Sequence, residues 1–89
     1  MALTRETFRG LPNRHAAFTL LATNLRWRMR VIGERLLGWI DSRDAGRPAD
    51  EVETRRQDLL DLAREMRAEL DVLIGELEDS AAIRAREAA

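Results

Sequence analysis

Between Asn13 and about Asp44 one helical segment carries two apolar stripes, where a lone hairpin needs only one. The main stripe is Phe18, Leu21, Leu25, Met29, Ile32, Leu36, Trp39 and Ile40, at the three-and-four spacing of an amphipathic helix. A second stripe, Leu20, Trp27 and Val31, continued by Gly38, lies more than a quarter turn round. One neighbouring helix covers only one face. The second stripe therefore points to self-association or to a protein partner, with Leu20, Trp27, Val31 and Gly38 as the expected self-association surface.

A break on either side bounds this segment. Gly10, Pro12 and Asn13 interrupt the chain, and Asn13 suits an N-cap. At the other end Gly46 suits the left-handed position that follows a helix, and Pro48 suits the first turn of the next. Asp50 and Glu53 offer a second possible start, in capping-box-like spacing. The spacing predicts a second helix from there to about Ala82. Its seam is Val52, Leu59, Ala63, Met66, Leu70, Leu73 and Leu77, widened by Leu62 and Ile74.

So short a connection forces the two helices antiparallel. The expected fold is an all-α antiparallel helical hairpin in a single domain. It has an N-terminal arm over 1–12, helix one over 13–44, a turn over 45–48, helix two over 49–82 and a fraying tail over 83–89. Leu3, Phe8 and Leu11 are placed to fold back over the overhang of the longer helix, as a short helix or an ordered arm. Small scaffolds without disulfides commonly oligomerise, and this chain has no cysteine. Dimerisation into a four-helix bundle is the expectation.

Charge is divided unevenly. Residues 1–47 hold nine Arg against four acids and residues 48–89 six Arg against twelve, within a net charge of −1. Asp58, Asp61, Glu65, Glu69, Glu76 and Asp79 fall along one flank of the second seam. Arg28 and Arg35, seven apart, lie on a flank between the two stripes of helix one. Opposite charges beside an apolar seam select orientation and partner. A surplus of acids remains, and that stripe is the expected docking surface for a basic partner.

Nucleic acid is an alternative partner, through Arg14, Arg26 and Arg30 across a dimer. It is disfavoured because the arginines around Trp27 point in several directions and the pI is about 5.8. An acidic mimic of nucleic acid that inhibits a larger protein is a further alternative.

No chemistry announces itself. His15 is the only histidine, with no second His or Cys to complete a metal site. The pairs Glu65 and Glu69, or Asp58 and Asp61, lack the Glu-x-x-His partners of a di-metal bundle. There is no phosphate-binding glycine loop and no nucleophile triad order. The expectation is a non-enzymatic protein without cofactor or metal. The start of the chain lacks the apolar core of a signal peptide, and the longest uncharged stretch, His15 to Leu25, falls short of the ~20 residues of a membrane span. A cytoplasmic setting is expected. The sequence thus supports an adaptor, assembly factor or inhibitor acting through protein contacts.

Overall fold

Among the described residues three helices form, each beginning where the sequence supplies a start signal. The computed structural model describes residues 2–88, with side chains described through residue 81. Helix α1 spans Arg5–Gly10, α2 Arg14–Asp44 and α3 Ala49–Ala88. Thr4 caps α1, its side-chain oxygen accepting from the Thr7 amide at 3.1 Å. Asn13 caps α2 in the same way, accepting from the Ala16 amide at 3.0 Å. The start of α3 falls between the two candidate positions, at Ala49, with the Pro48 carbonyl accepting from the Val52 amide at 3.1 Å. The segment 83–89, expected as a fraying tail, lies outside the residues whose side chains are described.

The reversal between α2 and α3 depends on Gly46, whose φ is +66°. With that left-handed residue after the helix, the Gly46 amide reaches the Arg43 carbonyl and the Arg47 amide reaches Ser42, both at 3.1 Å. This double closure satisfies carbonyls that a helix end otherwise leaves bare. The two long helices then run back along each other, giving a molecule of 61 × 24 × 17 Å. Among the described residues no helix is long and apolar enough to cross a membrane.

The apolar core is small and sits at the open end of the hairpin. It consists of Leu3, Phe8, Ala17, Leu21 and Val72, with Leu11, Phe18, Leu25 and Leu73 against it. The N-terminal arm folds back and supplies Leu3 and Phe8, not to the overhang of the longer helix but to the paired part of the hairpin beside Ala17, Leu21 and Val72, and Phe8 meets Phe18 edge to face at 5.0 Å.

Charge fastens this arm down as well. Glu76 of α3 is 1% exposed and accepts from three guanidinium groups: Arg9 Nε at 3.1 Å, Arg14 Nη2 at 3.2 Å and Arg5 Nε at 3.3 Å. Arg5 and Arg9 also pair with Asp79. Gly75 leaves space for this clamp: a Cβ there would stand 3.0–3.3 Å from the Arg5 guanidinium.

Burial pushes the Glu76 carboxyl up, but hydrogen bonds from Arg9, Arg14 and Arg5 outweigh it and hold the group below its ordinary value. As pH falls, the unfolded chain therefore takes up this proton before the folded one does. The stabilisation is complete above the ordinary carboxyl value and is lost as pH drops through the lower folded value. Urea titrations between pH 7 and pH 3 should show Glu76→Gln losing less stability on acidification than the wild type. Parallel pH profiles would contradict the clamp.

Candidate functional site

Beyond the open-end core a charged contact between α2 and α3 is set among half-buried apolar residues that include Ile32, Trp39, Val52, Leu59, Leu62 and Met66. Glu69 of α3 is fully buried, and the Arg28 side chain that meets it from α2 is nearly so. Arg28 Nε donates to Glu69 and its Nη1 donates to Glu65. Asn24 Nδ2, one turn earlier on α2, donates to the second Glu69 oxygen at 3.1 Å. Burial lowers the affinity of Arg28 for its proton, but hydrogen bonds to Glu69 and Glu65, with their charges, outweigh it and raise the pKa above the ordinary arginine value. The guanidinium stays charged throughout the working pH range.

This polar seam corrects the packing expected from periodicity. Periodicity gives α3 the seam Val52, Leu59, Ala63, Met66, Leu70, Leu73 and Leu77, widened by Leu62 and Ile74. Val52, Leu59, Met66 and Leu73 of that seam are half-buried and Leu21 of the α2 stripe is buried, with Phe18, Leu25, Ile32 and Trp39 half-buried, but Leu70, Ile74 and Leu77 are exposed on α3, as are Met29, Leu36 and Ile40 on α2. The physical reason is rotational phase. Carboxylates at 65, 69 and 76 occupy the facing positions because arginines of α1 and α2 stand ready to neutralise them. The apolar residues next in sequence are then turned aside by about 100°.

That shift divides the expected acidic stripe. Glu65, Glu69, Glu76 and Asp79 are engaged by the chain's own arginines. Asp58 and Asp61 remain exposed, with Asp61 accepting from Gln57 at 3.0 Å. These two come together with part of the second apolar stripe. An open groove between α2 and α3 is lined by Trp27, Val31, Glu34 and Arg35 on one side and by Asp58, Asp61 and Leu62 on the other. Trp27 is 55% exposed there, with the Arg28 guanidinium 5.9 Å from its ring.

The remaining members of the expected self-association set lie elsewhere. Leu20 is exposed towards the open end. Gly38 lies nearer the turn, where a Cβ added to it would stand 3.3 Å from the Arg55 guanidinium, so its neighbour is a side chain rather than another backbone.

The arginines considered for nucleic acid do not form one surface. Arg14 pairs with Glu76 and lies 5.4 Å over the Phe18 ring, while Arg30 pairs with Glu34 at 3.4 Å. Arg26 is exposed. Among the described residues no group of three or more His, Cys, Asp or Glu side chains is placed to hold a metal ion.

Two surfaces thus stand out on an all-α helical hairpin: the groove beside Trp27, and an apolar band of six exposed side chains that sequence reasoning assigned to the core. The available signal for the band was the seven-residue spacing of Glu69 and Glu76, which matches that of the apolar seam itself. No protein-family profile, no curated protein and no solved structure matches this chain.

The seam makes a testable energetic claim. Arg28→Met leaves Glu69 buried without its charge partner and should cost about 3–5 kcal/mol in urea unfolding. Adding Glu69→Leu to that variant should restore most of the loss, since a buried pair replaced on both sides by apolar groups is often near neutral. A loss in the double variant equal to the sum of the losses of Arg28→Met and Glu69→Leu alone would show that the two groups are not coupled.

Proposed function

We propose that this protein is a small non-enzymatic protein–protein interaction module, an adaptor or assembly factor, that self-associates through its helical faces. The observation that carries this reading is the band of large apolar side chains left uncovered by the hairpin. Met29 is 65% exposed, Ile74 52% and Leu77 56%, with Leu36, Ile40 and Leu70 beside them. A chain of this size has little apolar surface to spare. Among the described residues five apolar side chains are buried, gathered at one end of a molecule 61 Å long. Covering the band adds the apolar burial that the middle and the turn end of the hairpin lack.

The band replaces the Trp27 stripe as the favoured surface for self-association, because it runs along both long helices rather than one. The groove then stays open for a different protein. Its exposed indole offers an apolar anchor, and Glu34, Asp58 and Asp61 outnumber Arg35, which favours a basic segment.

Self-association coupled to folding makes the melting temperature depend on protein concentration. A hundredfold increase in concentration should raise Tm by roughly 5–10 °C. Met29→Glu combined with Ile74→Glu should abolish that dependence. A wild-type Tm independent of concentration would contradict the reading.

A further inference from the structure

The polar seam fixes where the apolar band lies. Arg28 on α2 and Glu69 and Glu76 on α3 mark the directions in which the long helices face their intramolecular partners. Met29 follows Arg28 by one residue, and Leu70 and Leu77 follow Glu69 and Glu76 by one. Each is therefore rotated about 100° from the facing direction, in the same sense along its own helix. In an antiparallel pair, equal rotations of that kind bring both rows to the same side of the hairpin. The row Met29, Leu36, Ile40 and the row Leu70, Ile74, Leu77 lie on one side of the hairpin, the first towards the turn and the second towards the open end. Trp27, one residue before Arg28, falls on the opposite side, where its groove is.

The size of this surface suits a second copy of the chain. From the level of Leu77 near the open end to that of Ile40 near the turn the band runs ~33 Å, and two helices give it a width of ~20 Å. The product, ~700 Å², is close to the ~800 Å² that each partner contributes to a stable interface. Two hairpins can stack on this side about either of two kinds of two-fold axis, and both keep neighbouring helices antiparallel. An axis across the hairpin sets α2 on α2 and α3 on α3. An axis along the hairpin sets α2 of each copy on α3 of the other. Charge separates them: α2 holds six Arg against three acids, and α3 six Arg against twelve. Like-charged helices oppose each other in the first arrangement and oppositely charged ones in the second.

We propose that the chain forms a dimer about a two-fold axis parallel to its long helices, closing the Met29 and Ile74 rows of both copies into the core of a four-helix bundle. This rests on the self-association reading and specifies its geometry. The two Trp27 grooves face outward on opposite sides of the dimer, so that one assembly presents two equivalent docking sites.

An axis along the helices leaves every residue at its own height, and this fixes the register. Arg28 reaches both Glu65 and Glu69, so Met29 stands level with Met66. In the dimer, Met29 of one copy lies over Met66 of the other. The chain has no cysteine, which makes thiol cross-linking specific to introduced positions.

The test mixes two full-length single variants, Met29→Cys and Met66→Cys, unfolds and refolds them together, and oxidises mildly. The expected major product is the mixed disulfide dimer, with little cross-linking of either variant alone. Ala63→Cys, an exposed position one turn from Met66, serves as the second partner should Met66→Cys fold poorly. Self-cross-linking of Leu25→Cys, Met29→Cys or Leu36→Cys alone, without the mixed product, would overturn the axis and favour α2 on α2. A dimer by light scattering with no cross-link at any of these positions would overturn this use of the band. A monomeric mass for the unmodified protein would overturn the self-association reading itself.

Discussion

The contact between Arg28 and the carboxylates of Glu65 and Glu69 sets the rotational phase of the long hairpin. A buried carboxylate with no partner costs several kcal/mol, so Glu69 can face α2 only where a cation meets it. Arg28 supplies the charge and Asn24 a further donor. The same logic recurs two turns along α3, where Glu76 collects Arg5, Arg9 and Arg14 and ties α1 to the open end. Such pairs add little net stability compared with apolar packing, but they penalise a slipped register heavily. Slide or rotate α3 by one residue, and both buried carboxylates lose their partners. The polar seam therefore specifies the arrangement, while the small core around Phe8 and Leu21 supplies much of the apolar burial.

Much of the architecture was readable from the sequence because its signals are local. Asn13, Gly46 and Pro48 mark helix ends through backbone geometry that depends on few neighbours, and the structure uses all three. Leu3 and Phe8 were placed to fold back because a longer helix leaves an overhang that needs cover; they do fold back, but onto the paired part of the hairpin. The opposite charge of the two halves indicated pairing within the hairpin, and Arg28 was already set on the flank that carries it.

Rotational phase was not readable in the same way. The main stripe of α2 is broad, and a broad stripe gives the side of a helix that avoids water without saying which edge meets the intramolecular neighbour. Leu21 lies at the edge that the core takes and Met29 and Ile40 lie beyond it, whereas Phe18 shares the face of Leu36, five turns on, and is covered because Phe8 of the N-terminal arm packs on it. On α3 the acids at 65, 69 and 76 share the helical spacing of the leucines, so periodicity alone ranks two adjacent faces as candidates and prefers the apolar one. The choice depends on which arginines stand opposite, which is tertiary information. The groove was half visible: Trp27 and Val31 were assigned to one surface and Asp58 and Asp61 to another. The packing of α2 on α3 joins them.

A hairpin closed by charge, with an apolar side left for a second copy, has a definite shape in solution. Small-angle X-ray scattering measures mass and longest dimension together. Side-by-side stacking on the apolar band predicts twice the 10.2 kDa chain mass, with a longest dimension still near the 61 Å of one hairpin. A single-chain mass, or a doubled mass with a longest dimension close to twice that of one hairpin, would contradict the account.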